Sequence, residues 1–211
     1  AVGGSPALAQ DPGSRLGDEF QVNTFTSLGQ RDTAIGMDAD GDFVVAWQSS
    51  AQDGSGYGIY AQRYNAGGTA FGTEFQVNTE TSSGQRNPAI AVDADGDFVV
   101  AWQSLFQDGS SYGIFAQRYD AEGTAVGTAF QANTETSSSQ TNPAIAVDAD
   151  GDFVVAWQSF GQDGSGNGIY AQRYNAGGTT VGTEFQVNTE TSNSQSNPAI
   201  AVDADGDFVV A

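Results

Sequence analysis

A phrase of 55 residues recurs without insertion from Phe20 onward, and it restricts the fold more than any other feature of the 211-residue chain. Phe20, Phe75, Phe130 and Phe185 open the phrases FQVNT, FQVNT, FQANT and FQVNT, and each is followed by DADGDFVVA at Asp38, Asp93, Asp148 and Asp203. Repeats of this length build propellers, solenoids or arrays, because each unit hides its apolar faces against its neighbours. The sequence divides into a lead-in at 1–19 that resembles a degenerate end of a repeat, repeats at 20–74, 75–129 and 130–184, and a partial repeat at 185–211.

Within the second copy, Phe75 to Asn78 alternates apolar and polar residues, as a half-buried strand does. Thr79 to Asn87 reads as a loop, and Pro88 as the first residue of a strand ending at Val92. Asp93-Ala-Asp-Gly-Asp97 is a hairpin turn between apolar runs. Phe98-Val-Val-Ala-Trp102 is continuously apolar, which fits a strand covered on both faces, with Trp47, Trp102 and Trp157 each wedged against the next unit. Further turns at Gln107-Asp-Gly-Ser and at Glu122-Gly123 bound the remaining strands. The expected fold is all-β: tandem four-stranded antiparallel units arranged as propeller-like blades, with a linear stack of β units as the alternative.

Aspartate and glutamate number 26 against 6 arginines and no lysine, for a net charge of −20. Such a surface repels nucleic acid and anionic membrane, so neither is an expected partner. With no cysteine and no histidine, thiolate chemistry and the usual zinc sites are excluded. No stretch is apolar for long enough to insert in a membrane as a helix. The acidic, Asn/Gln/Ser/Gly-rich composition points to an extracellular or cell-surface location. Ala7-Leu8-Ala9 resembles the small-residue end of a secretory signal, though without the charged and apolar regions that precede one.

Each DADGD turn places three carboxylates at alternate positions: Asp38, Asp40 and Asp42; Asp93, Asp95 and Asp97; Asp148, Asp150 and Asp152; Asp203, Asp205 and Asp207. Converging carboxylates of this kind can hold calcium, the one cofactor the sequence suggests. The turn is not an EF-hand loop, since glycine falls at the fourth position and Ser104 at the twelfth. The plain alternative is that the aspartates cap turn amides. Asp53, Asp108 and Asp163 in the QDGS turns read chiefly as turn formers. Arg63, Arg118 and Arg173 read as partners of an aspartate in the same or the adjacent blade, or as a clamp for a glycan carboxylate. Tyr57, Tyr60 and Tyr64 read as packing between blades, or as a platform for sugar stacking.

The phrase PAIAVDADGDFVVAWQS, continuing through QDGSGYGIYAQRYNA to FQVNTET, resembles tandem repeats of very large secreted and surface proteins of bacteria, often associated with calcium-binding or adhesin modules. The likeness covers residues 20–211 and implies a propeller-like, non-catalytic surface role. The haemolysin-type nonapeptide is absent. The Ser/Thr-x-Asp-x-Gly-x-x-Trp box of sialidase propellers is not matched either, because Ala94 stands two before Gly96 and the aromatic Phe98 comes two after it.

Catalysis needs an asymmetric constellation, whereas the copies differ mainly at loop positions such as Ser50-Ala51, Leu105-Phe106 and Phe160-Gly161. The expected function is therefore an extracellular structural or adhesive repeat protein, non-catalytic, in a longer array or filament. A glycan-binding lectin-like propeller is the alternative, and a glycoside hydrolase ranks third. The sequence breaks off inside the buried strand of the fourth copy, so a head-to-tail contact with further repeats or another copy is the expected partner, with surface glycans as another.

Overall fold

The computed structural model describes residues 17–211, and the small-residue signal-like stretch and most of the lead-in lie outside it. The described residues form fourteen strands and no helix, so no helix is long and apolar enough to cross a membrane. β1 (Gln30–Met37), β2 (Phe43–Ser50), β3 (Tyr57–Tyr64) and β4 (Ala70–Gln76) make one antiparallel sheet in sequential order. β5 (Gln85–Val92), β6 (Phe98–Leu105), β7 (Tyr112–Tyr119) and β8 (Ala125–Gln131) repeat it, as do β9 (Gln140–Val147), β10 (Phe153–Phe160), β11 (Asn167–Tyr174) and β12 (Thr180–Gln186). β13 (Ile200–Val202) and β14 (Phe208–Val210) pair as a hairpin. The first strands β1, β5, β9 and β13 are neighbours of one another and form the inner lining, as in propeller blades.

The double burial of the second strand follows from its period of two. Phe98, Val100 and Trp102 join a core with Val44, Ala46, Ile59 and Ala61 of the preceding blade. Val99 and Ala101 face the other way, into a core with Phe153, Val155 and Trp157. Trp102 and Trp157 therefore wedge against the blade before them, not the blade after as expected, while Trp47 packs with Val45, Tyr60, Tyr64 and Val22. Trp102 and Trp157 are almost fully buried.

The recurrent Asn-Thr phrase makes the crossover between blades. After β4 the chain keeps pairing with β3: Val77 N–H donates to Ile59 O at 2.8 Å, and Asn78 Oδ1 then accepts from Ile59 N–H at 2.6 Å. The asparagine thus extends the ladder by one bond with its side chain while its backbone turns away. Asn78 Nδ2 donates to Glu80 O at 2.7 Å and to Gln85 Oε1 at 3.1 Å, which fixes where β5 begins. Tyr119 of the second blade closes over this segment. Its hydroxyl donates to Val77 O at 3.3 Å, and its ring stacks on Phe98 with centroids 4.8 Å apart.

The segment expected to be loop up to Asn87 is strand from Gln85, and Pro88 lies inside it. The ladder tolerates the proline because β5 bulges between Arg86 and Ala89 and is the edge strand next to the axis.

Replacing buried Asn78 with alanine leaves the Ile59 amide without its acceptor. Urea denaturation is expected to show a loss of about 1–3 kcal/mol, against less than about 0.5 kcal/mol for the exposed Thr79→Ala.

Candidate functional site

The two ends of the inner lining carry different chemistry. One end is made of the DADGD turns, which join each inner strand to the second strand of its blade. In each turn the glycine takes positive φ, for example 92° at Gly96, and the first aspartate serves as the cap. Asp93 Oδ1 accepts from the amides of Asp95 and Asp97, both at 3.0 Å. Asp38 does the same for Asp40 and Asp42, Asp148 for Asp150 and Asp152, and Asp203 for Asp205 and Asp207. The third aspartate reaches across its own blade: Asp42, Asp97 and Asp152 accept from the amides of Ala66, Ala121 and Ala176.

Among the described residues no group of three or more acidic side chains is arranged to hold a metal ion. The first and, in three turns, the third of the carboxylates expected as calcium ligands accept turn amides, while Asp40, Asp95, Asp150 and Asp205 between them are exposed. In the QDGS turns, Asp53, Asp108 and Asp163 likewise accept from Ser55, Ser110 and Ser165 amides at 3.0 to 3.1 Å.

Burial pushes the Asp93 carboxyl above the ordinary aspartate range, and the charges of Asp97 and Asp95 add to the shift, against the two amide bonds that lower it. A raised folded-state value means that the native state binds the proton more readily than the unfolded chain. This group's contribution to stability therefore declines as pH rises through the interval between the ordinary and the raised value.

Arg63 also lies at this end. Its guanidinium donates to the Glu122 carbonyl in the β7–β8 turn of the following blade and lies 5.6 Å over the Phe71 ring. A backbone carbonyl thus takes the place of the expected aspartate partner. Arg118 reaches the corresponding turn at Gly178, where an added Cβ would come within 2.5 Å of its Nη1. Tyr60 and Tyr64 are buried, and Tyr64 donates to Val22 O at 2.8 Å, so they pack between elements. Burial, then Asp53 and Glu74, pushes the Tyr60 hydroxyl up to about 12. Tyr57 alone of the three expected tyrosines remains half-exposed.

The other end gathers the starts of the inner strands and the β2–β3 turns, with their equivalents in later blades. Asp32, Asn87 and Asn142 occupy the bulge at φ of 53°, 51° and 53°, and Asn197 takes the same conformation at 58° ahead of β13; Asn and Asp tolerate it best among residues with a Cβ. Together with Thr33, Pro88, Pro143 and Pro198 they line an axial hollow of about 350 Å³. A ladder of amides runs along it: Asn87 Nδ2 donates to Asn142 Oδ1 at 2.8 Å, and Asn142 Nδ2 to Asn197 Oδ1 at 3.0 Å. Asn87 and Asn142 also donate to Gln103 and Gln158 Oε1 of their own blades, at 3.2 and 3.0 Å.

The first copy breaks this ladder. Asp32 sits where the next three copies have asparagine, and an ionised carboxylate has no proton to pass to Asn87 Oδ1. Two adjacent ladder positions therefore present acceptor oxygens to the hollow. The same end holds most of the other differences between copies: Arg31, Arg86, Thr141 and Ser196; Ala51, Phe106 and Gly161; Tyr57, Tyr112 and Asn167. Phe106 is 63% exposed at φ 63°, and Phe160 is 57% exposed. Ala51 and Gly161 hold the same position at φ 53° and 74°, so the turn requires this conformation in each copy and Phe106 bears it at a cost.

No family model and no curated protein matches the chain. The fold is similar to that of a Dyadobacter fermentans protein of unknown function (TM-score 0.58, 13% identity, covering 87% of this chain and 61% of that one). It is also similar to a Hadza microbial sialidase (TM-score 0.56, 16% identity, 81% and 39%). A third is an N-acetylgalactosamine deacetylase from F. plautii in complex with blood group B trisaccharide (TM-score 0.51, 12% identity, 85% and 60%). The chain spans between 39% and 61% of the length of these structures.

These similarities fix the propeller-type fold and correct the functional expectation. Repetition of blades was the ground for a non-catalytic structural or adhesive array, yet the same frame carries a sialidase and a deacetylase. The repeat is therefore no argument against carbohydrate chemistry, and the array or filament reading does not stand.

The Asp93 environment yields a paired expectation. Asp93→Asn keeps both turn bonds without a charge, so its melting temperature at pH 7 should equal or exceed that of the parent, with a flatter profile between pH 4 and 7. Asp93→Ala loses both bonds and should be less stable by about 1–2 kcal/mol.

Proposed function

We propose that this chain is the saccharide-binding portion of a carbohydrate-active propeller that works outside the cell, with the ligand held at the asparagine end of the axis. The observation that carries this reading is the interrupted ladder. Asp32 and Asn87 offer acceptor oxygens into the hollow at the one step where no neighbouring side chain supplies a donor. Sugar hydroxyls are donors; half-buried Asn87 gains from a partner it lacks in the free protein, and exposed Asp32 adds a second acceptor beside it. Exposed Phe106 and Phe160 at the same end offer apolar faces for stacking on pyranose rings.

The reading agrees with the sialidase and the trisaccharide-bound deacetylase that share the fold. Glycoside hydrolysis uses two carboxylates flanking the scissile bond; Asp32 lines the hollow, and Asp53, Asp108 and Asp163 lie in the turns at the same end.

Asp32→Asn tests the reading without endangering the fold. The variant restores the residue found in the other three copies, tolerates the same φ and gives Asn87 its missing donor. Its stability should match or exceed the parent's by about 1 kcal/mol, while saccharide affinity on a glycan array falls about tenfold. Unchanged binding to every bound glycan would remove the axial hollow as the site.

A further inference from the structure

Two of the six arginines converge on one ring at this end of the molecule. Arg31 and Arg86, each one residue before a ladder position, hold their guanidinium carbons 4.7 and 4.8 Å from the centroid of the Tyr57 ring. Arg31 comes from β1, Arg86 from β5 and Tyr57 from β3, so the cluster straddles the first two blades. The equivalent step between the next two blades would use Arg86, Tyr112 and Thr141, and the step after it Thr141, Asn167 and Ser196. The double-arginine arrangement is therefore made once, beside the one break in the ladder.

Tyr57 attracts both guanidiniums through its ring face, which fixes two like charges close together in a chain of net charge −20. Arg86 Nε is shut off from solvent and has no hydrogen-bond partner, an unmet donor on a charged group. Two planar forks gathered on one ring each offer the paired donors that a carboxylate accepts. Asp32 next to them disfavours a bare anion but suits a molecule that brings hydroxyl donors along with its acid group.

We infer that the ligand is an acidic saccharide, whose carboxylate is bound by Arg31 and Arg86 while its hydroxyls meet Asp32 and Asn87. This deepens the axial-site reading and rests on it. A sugar carboxylate and a free inorganic anion share the chemistry that an arginine pair recognises. The carboxylate is favoured here because the neighbouring acceptors would repel an ion that carries no donors.

Isothermal titration of the intact chain with matched pairs decides the matter: 3′-sialyllactose against lactose, tetragalacturonate against tetragalactose, and inorganic sulfate alone. At least one acidic member should bind about tenfold or more tighter than its neutral partner. Arg31→Gln, which alters an exposed side chain, should remove most of that preference, and Arg31→Gln with Arg86→Gln should abolish it. Asp32→Asn should weaken both members of a pair. Equal binding of acidic and neutral members, both weakened by Asp32→Asn, would overturn the acidic-ligand inference and leave the axial site standing. Sulfate binding as tightly as the acidic sugars would also overturn it. Binding of none of these sugars would count against both readings.

Discussion

A side-chain hydrogen bond from the second strand of each blade anchors the inner strand of the next. Gln48, Gln103 and Gln158 accept from the main-chain amides of Asn87, Asn142 and Asn197 in the following blade, at 3.0, 3.0 and 3.1 Å. Each amide belongs to a residue in the left-handed region, and at Asn87 and Asn142 a bulge has taken it out of the regular ladder with its own sheet. Without the glutamine the amide would be an unpaired donor at a blade junction, which costs about 1–3 kcal/mol. The bond therefore makes the bulge affordable and ties successive blades together at the axis, while the tryptophan wedge ties them farther out.

That arrangement explains why the site falls where it does. The bulge turns the asparagine side chains along the axis instead of across the sheet, and repetition strings them into a ladder. A ladder of identical amides satisfies itself and has little to offer a ligand. Changing one rung to Asp32 leaves acceptors without donors, and neighbouring changes bring two arginines onto one tyrosine. The opposite end follows the contrary logic. Its DADGD turns are the same in all four copies, and the first carboxylate of each holds the turn.

Much of the fold could be read from residue order. Asp-Gly between apolar runs marks the hairpins, and the unbroken Phe98-to-Trp102 run announces a strand buried on both faces, as the structure shows. The direction of the tryptophan wedge could not be read, because alternation gives two faces without saying which neighbour each one meets. Pro88 was taken as a strand's beginning, since the sequence does not reveal that Gln85 to Asn87 pairs on the far side of a bulge. The site was legible only in hindsight. Asn-Pro at one fixed offset in three copies, with Asp-Thr in the first, is a signal for strained backbone, but its meaning depends on the strand being innermost. The conspicuous aspartates drew the chemical reading to the opposite end, where charge density shows that carboxylates are near one another but not which of them backbone amides already engage.

The coupling of the blades through the axis is most directly tested by native-state hydrogen exchange followed by NMR. The account predicts that the amides of Asn87 and Asn142, although displaced from their own sheets by the bulge, exchange as slowly as the second-strand amides of Val100 and Val155, and that Gln103→Ala accelerates Asn142 far more than Val155. Rapid exchange at Asn87 and Asn142 in the unaltered protein, at the rate of an open strand edge, would contradict it.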